Sequence, residues 1–371
     1  MKKVLLFPLL NSMPSGHHQV ADALCETIDH LANDIECKKV DLLSEWNSKV
    51  ESAAVKAYLK WISKAPASYA WIYRKLAYKT KEERSYKYYE LLFIHKIEQI
   101  LEIEKPDLII CTHGFPSLFI NKLKKSGKCS VPCLNVYTDF FMNDVWGKSH
   151  IDYHFVPNLT IKEQLQIDHD IPASHIFVTG IPVSMKFSGE PRSSSADGKF
   201  TVLISGGSTG LGNIFHMLEN GMENTGCNFK ILCGTNKSLY EKVKELGRDA
   251  AEPLPYISSK EEMNRLYGIS DAIITKPGGV TVSEALKVGL PIFVQSALPG
   301  QEEINMNFLC ENGLVFKVPE DAELIEFVCA TLSNGEKMKE YHKTVKNYKA
   351  SFDLANPKEV LERIENILTS G

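Results

Sequence analysis

Thr275-Lys276-Pro277-Gly278-Gly279-Val280-Thr281-Val282-Ser283-Glu284-Ala285 follows directly on the apolar run Ala272-Ile273-Ile274. A short β-branched run, a Pro-Gly-Gly break and then helical periodicity make a strand–turn–helix unit, the building block of a parallel α/β sheet. The chemistry of the turn suits a diphosphate. Paired glycines let the backbone approach an anion, the helix N-terminus offers unpaired N–H groups and the positive end of its dipole, and Thr281 and Ser283 add hydroxyl donors beside Lys276. Glu284, placed in the first helical turn, can accept two hydrogen bonds from a ribose diol. The same residues also serve as a plain strand-to-helix turn in any doubly wound sheet, so the motif by itself marks a candidate site.

Working outward, the next strand, 291–295, leads into Leu298-Pro299-Gly300-Gln301-Glu302-Glu303-Ile304-Asn305. These residues fall at the same carboxyl edge of the sheet, where open α/β folds bind ligands. Gln301 and Glu302 can take paired hydrogen bonds from sugar hydroxyls; the alternative is the capped start of a helix. Upstream, the strand 200–205 runs into Ser205-Gly206-Gly207-Ser208-Thr209-Gly210-Leu211-Gly212, which makes Gly207 and Ser208 further candidates for an anionic ligand. This loop lacks the G-x-G-x-x-G spacing of a dinucleotide fingerprint and the Gly-Lys-Ser/Thr of a P-loop. With a strand at 229–233, the second half is a Rossmann-like domain over 200–345.

The first half shows the same alternation, with strands expected at 4–9, 38–40, 108–112, 133–137, 153–156 and 176–178 and helices between them. It forms a first domain over 1–190. The polar stretch 191–199 buries nothing and reads as a linker. Residues 324–368 are helical throughout, and 346–371 is expected to pack back on the first domain. At 371 residues the chain suits two α/β domains facing a cleft.

In the first domain, Ser15-Gly16-His17-His18 lies in the loop after the first strand and enters a helix. One of the two histidines can face the cleft and take a proton from a hydroxyl. Both can equally cap the helix or sit in solvent. Tyr137-Thr138-Asp139-Phe140 ends another strand of the same sheet, where Asp139 can orient the histidine, bind a hydroxyl, or merely cap a helix. Asp168-His169-Asp170 has a D-x-D form but falls in a polar connector and reads as a turn. His150 and His154 lack the carboxylates that a metal site needs.

Composition narrows the function further. A 44% hydrophobic, 24% charged chain is globular, and a net charge of -4 argues against a general affinity for nucleic acid. Nine cysteines scattered through apolar runs read as reduced, buried thiols without a disulfide framework. The apolar start at 4–10 is too short for a signal peptide with no Ala-x-Ala site after it, and no run is long enough to span a membrane. Between 58 and 89, Lys60, Lys64, Arg74, Lys75, Lys79, Lys81 and Arg84 interleave with Trp61, Tyr69, Trp71, Tyr73, Tyr78 and Tyr86. That mixture suits a helix lying on an anionic bilayer, or else a solvated helical face with aromatics in the core.

Together these motifs resemble the family of monogalactosyldiacylglycerol synthases and processive diacylglycerol glucosyltransferases, related more distantly to the peptidoglycan GlcNAc transferase. The most specific residues are Ile274 to Gly279 with Ser283-Glu284-Ala285 and Pro299-Gly300-Gln301-Glu302, backed by Val178-Thr179-Gly180-Ile181-Pro182-Val183 and by 206–212. The resemblance implies a GT-B fold and an inverting, metal-independent and cofactor-free hexosyltransferase. It implies UDP-glucose or UDP-galactose as donor, diacylglycerol or another hydroxyl as acceptor, and a peripheral place on the cytoplasmic face of the cell membrane. Its Gly-His loop matches Gly16-His17, which makes His17 the base and Asp139 its helper. Glu284 then holds the ribose, the backbone at Gly278 and Gly279 the diphosphate, and Gln301 with Glu302 the sugar. Two departures fall on the acceptor side: 11–15 carries less glycine than relatives, and Asn143 stands where relatives often have His. They keep open a transferase of a soluble small-molecule acceptor and a UDP-sugar-binding regulatory protein.

Overall fold

The structure is a computed structural model that describes residues 1–8, 15–40, 42, 87–189, 198–206, 226–246, 250–320 and 322–370. The chain divides into two compact units. Unit 1 comprises Met1–Met185, Pro299–Gln301 and Lys349–Gly371, and unit 2 comprises Lys186–Leu298 and Glu302–Tyr348.

Unit 1 carries strands β1 (Lys2–Phe7), β2 (Ile35–Lys39), β3 (Leu108–Cys111), β4 (Cys133–Val136), β5 (Tyr153–Val156) and β6 (Ile176–Val178). They pair in parallel in the order β2-β1-β3-β4-β5-β6. Helices α1 (Gly16–Leu31), α2 (Lys87–Glu104), α3 (Gly114–Lys125) and α4 (Leu159–His169) alternate with them. All four residues of β3 and of β4 are buried, as expected of central strands covered on both faces. The six strands expected from sequence are all present; 153–156 and 176–178 keep their expected ends and the others shift by at most three residues.

Unit 2 repeats the plan with β7 (Phe200–Ser205), β8 (Cys227–Leu232), β9 (Ala251–Leu254), β10 (Ala272–Thr275), β11 (Ile292–Val294) and β12 (Phe316–Lys317), in the parallel order β12-β11-β10-β7-β8-β9. Its helices are α5 (Lys237–Glu245), α6 (Lys260–Gly268), α7 (Gly279–Val288), α8 (Gln301–Glu311), α9 (Leu324–Ser333) and α10 (Gly335–Ala350), and the chain closes with α11 (Pro357–Ser370). The two strands that the sequence hides are the sheet's edges. Edge β9 reads Ala-Glu-Pro-Leu, with a charge and a proline that only an outermost strand tolerates, and β12 has two residues.

Two local readings need correction, and a third falls outside what the structure describes. Asp168 and His169 are the last turn of α4, and Asp170 is its left-handed cap at φ 55°, so the D-x-D triplet is a helix end and not a connector. Cys227 of β8 and Cys329 of α9 form a disulfide, where nine reduced thiols were expected. The partners stand 102 residues apart in one apolar cluster, a closeness that sequence spacing does not reveal. Residues 58–86 of the aromatic, basic segment lie outside the described residues, and 87–89 open α2.

The C-terminal residues are fastened to β6 within unit 1. Asp353 accepts the Val178 N–H at 2.8 Å and the Lys162 ammonium at 2.7 Å, and its own N–H donates to the Val178 carbonyl at 2.8 Å. Gly180 has φ +69°, and a Cβ there would come within 2.7 Å of the Phe352 ring. Both facts account for the glycine of the Val178-Thr179-Gly180 motif. Beyond this anchor, α11 packs on α1.

Candidate functional site

In unit 1, the strand order places the carboxyl ends of β1, β3 and β4 side by side. His17 enters α1 after β1, Thr112 and His113 follow β3, and Thr138 and Asp139 follow β4. His17 Nδ1 lies 2.9 Å from the Thr112 carbonyl oxygen and 2.8 Å from Thr138 Oγ1. A carbonyl only accepts, so Nδ1 carries the proton and the ring's lone pair sits on Nε2. The Thr112 hydroxyl returns a hydrogen bond to the His17 carbonyl at 3.0 Å and fixes the helix start. Burial lowers the His17 pKa below 6.5, while the charge of Asp139 and the Thr112 carbonyl oppose that shift. A neutral imidazole with a bare Nε2 is the form that a general base requires.

The charge of Asp139 raises the His17 pKa against the burial that lowers it, and Thr112 and Thr138 hold the Nδ1 side of the ring. Thr112 carries no motif signal, Thr138 stands in the Tyr137-to-Phe140 motif without a role of its own, and only the strand order shows that the two converge. Gly16 is the first residue of α1, capped by Ser15. His18 is 9% exposed, with Nδ1 3.1 Å from Ser15 Oγ, so it turns into the helix start. Tyr137 and Trp146 pack behind these residues, ring centroids 4.5 Å apart. Asn143 Oδ1 accepts the Val145 N–H at 3.0 Å and so supports a turn.

In unit 2, α7 begins straight after β10, with Gly278 as its cap and no side chain covering the cap. The first bond of the helix runs from Val282 N to Gly278 O at 3.2 Å. That leaves the N–H groups of Gly279, Val280 and Thr281 outside the helical ladder, as helix geometry requires. The Gly278 N–H donates to the Lys276 carbonyl at 2.8 Å across Pro277. The N–H groups at the open end of the helical ladder are those of Gly279, Val280 and Thr281. Nothing lies within 4 Å of a Cβ built on Gly278, so the backbone there faces open space. Lys276 and Thr281 are half-buried beside it.

Glu284 is the sixth residue of α7, in the second turn and not the first. It is buried, with Oε2 accepting from the Tyr267 hydroxyl at 3.0 Å and Oε1 3.4 Å from Lys260 Nζ. Burial raises its pKa above 4.5, against the pull of Lys260 and Tyr267. Tyr267 is held neutral, its pKa well above 10 through burial and the adjacent carboxylate. Phe187 packs 5.5 Å from the Tyr267 ring, and Lys260 lies 5.6 Å above the Phe187 ring. The sequence does not single out Lys260 or Tyr267, although their spacing of seven puts both on one face of α6.

The Gln301–Glu302 pair opens α8, and Glu302 Oε2 accepts the Leu298 N–H at 2.7 Å. One oxygen of the pair is therefore spent on capping. Gly207 and Ser208 lie outside the described residues. Among the described residues, no three His, Cys, Asp or Glu side chains are grouped to hold a metal ion.

Residues 17–183 match the monogalactosyldiacylglycerol (MGDG) synthase family, and residues 218–349 match the glycosyl transferases group 1 family. The chain is 42% identical to an uncharacterized glycosyltransferase, YkoN, of Bacillus subtilis, over 98% of this chain and 97% of that one. The chain belongs to the glycosyltransferases. A second family relative is the processive diacylglycerol beta-glucosyltransferase of Bacillus subtilis, 28% identical over 99% of this chain and 95% of its own. A co-structure of Staphylococcus aureus MnaA with UDP aligns with a TM-score of 0.62 at 16% identity, covering 100% of this chain and 97% of that one. That likeness bears on fold alone: two parallel-sheet Rossmann-like domains of the GT-B type. No described helix is long and apolar enough to cross a membrane.

Proposed function

We propose that this glycosyltransferase moves a hexose, glucose or galactose, from its UDP-sugar to a hydroxyl of diacylglycerol, inverting the anomeric centre without a catalytic metal or cofactor. The observation that carries the reading is the His17 ring, neutral and with its proton pinned on Nδ1. Nε2 takes the proton of the acceptor hydroxyl as that oxygen bonds to the anomeric carbon. The bond from that carbon to the diphosphate breaks, and the electron pair leaves with UDP. The N–H groups of Gly279, Val280 and Thr281, with Lys276, receive the developing negative charge. Glu284 meets the ribose hydroxyls through the lone pairs that Tyr267 and Lys260 leave open, and Gln301 with the second Glu302 oxygen meets the sugar. Gly16, Gly207 and Ser208 complete the donor contacts. The basic, aromatic residues 58–89 hold the protein on an anionic membrane surface, at the cytoplasmic face.

Replacing His17 with Ala removes transfer and leaves UDP-sugar binding by calorimetry unchanged; retained turnover contradicts the assignment. A soluble small-molecule acceptor is the second reading, favoured by Asn143 standing where relatives often have His. Flotation with anionic liposomes separates the two, since an enzyme of a soluble acceptor stays at the bottom of the gradient.

A further inference from the structure

His113 lies beside His17, ring centroids 4.5 Å apart at 74°, and it caps α3. Its Nδ1 accepts the Phe115 N–H at 3.0 Å. An acceptor nitrogen carries no proton, so in the neutral ring the proton must be on Nε2. Burial, together with the charges that His17 and His18 take on when protonated, holds the His113 pKa well below 6.5, which keeps the ring neutral. The two neighbouring imidazoles are thus locked in opposite tautomers. Nε2 of His17 is a lone pair, and Nε2 of His113 is an N–H. Among the described residues neither Nε2 has a hydrogen-bond partner. His113 cannot share the base role, because its one lone pair is already used by the helix cap.

We propose that His113 is a binding residue of the acceptor site, donating its Nε2–H to a second oxygen of the acceptor beside the hydroxyl that His17 deprotonates. A lone pair on one ring and an N–H on the ring beside it suit an acceptor that offers a hydroxyl with a second oxygen next to it. The substrate class is therefore a vicinally oxygenated acceptor, such as a glycerol ester, and not a simple alcohol. This rests on His17 being the base, as argued above.

The test compares wild type with His113→Asn and His113→Gln. Asn keeps an oxygen to cap the Phe115 N–H but cannot reach the Nε2 position, whereas the Gln amide can place an N–H there. The readouts are thermal midpoint, UDP-sugar affinity, and kcat/KM for diacylglycerol against a long-chain primary alcohol without a neighbouring oxygen. Wild type should favour diacylglycerol by about tenfold, the value of one neutral hydrogen bond at the upper end. His113→Asn should lose that preference with unchanged midpoint and donor affinity, and His113→Gln should keep much of it. An equal preference in all three proteins, or a fall in midpoint with both acceptors equally slowed, overturns the proposal. Nitrogen-15 NMR of the labelled histidines reads the tautomers without any turnover: His113 should be Nε2–H and His17 Nδ1–H. A His113 proton on Nδ1 overturns the inference even if the enzyme is active. If wild type glycosylates neither acceptor, the lipid function fails, and the NMR result still decides the tautomer claim on which the His113 inference stands.

Discussion

The two candidate regions are built by opposite routes. In unit 2 the anion turn is one continuous piece of chain, 275–284, and its donors are the first N–H groups of a single helix. In unit 1 the proposed base is held by residues far apart in sequence: His17 meets Thr112 across 95 positions and Thr138 across 121. A turn that binds an anion needs only local backbone geometry. A histidine that takes protons needs a fixed tautomer and a dry setting, which here come from neighbouring strand ends. The chemistry of unit 2 can therefore be read as a motif, and that of unit 1 needs the order of its strands.

This contrast predicts a clean separation of effects. The largest is His17→Ala, with transfer reduced about 1,000-fold, in the range of a lost general base, and UDP-sugar affinity unchanged. The matching change in unit 2 is Glu284→Gln, which should weaken UDP-sugar binding by about tenfold, the cost of exchanging a charged hydrogen-bond acceptor for a neutral one. Calorimetry with UDP-glucose and UDP-galactose checks both. If the two variants lose donor affinity equally, the division of labour is wrong.

Next in size is Gly180→Ala, which forces a left-handed backbone and a contact with Phe352 and should cost about 2 kcal/mol of stability. Chemical denaturation measures it, and donor affinity of the folded fraction should stay unchanged.

The pH response should differ in sign between the regions. His17 and His113 have folded pKa values below their ordinary 6.5, and buried His154, at 3.2 Å from the Tyr137 hydroxyl, is pushed down to about 3. The unfolded chain then binds protons that the folded chain refuses, so stability held above pH 6.5 is lost as pH falls toward those lower values. Glu284 is shifted up from 4.5, so its contribution is present below that pH and lost as pH rises through its folded value. Acid titration followed by fluorescence should show unit 1 weakening first, and kcat/KM should stay flat above pH 6.5 and fall below it. The smallest effect is Thr138→Val, a few-fold fall in kcat, because the Thr112 carbonyl still holds Nδ1.

Much of this architecture was legible from sequence alone. Periodicity located every inner strand, since runs such as Leu108-Ile109-Ile110-Cys111 have no alternative place but a buried sheet. It does not reveal β9 and β12, because β9 carries a charge and a proline and β12 has two residues, which the edges of a sheet allow. The turn at Gly278 is legible as a strand-to-helix turn, and the bond from the Gly278 N–H to the Lys276 carbonyl is a detail of turn geometry that the sequence does not carry. Glu284 stands out in the sequence and its partners Tyr267 and Lys260 do not, because contact between α6 and α7 leaves no mark in either helix alone. His17 was singled out for its chemistry. His113 and Thr112 go unmarked, since a lone histidine or threonine after a strand has no pattern, and Thr138 is marked only as the neighbour of Asp139.

The measurement that bears most directly on the proposed reaction is UDP release from UDP-glucose and UDP-galactose, in parallel, with and without diacylglycerol in anionic mixed micelles. The account predicts release that the lipid stimulates, with one of the two sugars preferred and a glycolipid product recovered from the micelles. Donor binding without lipid-stimulated release, or release that yields only free hexose, would contradict it.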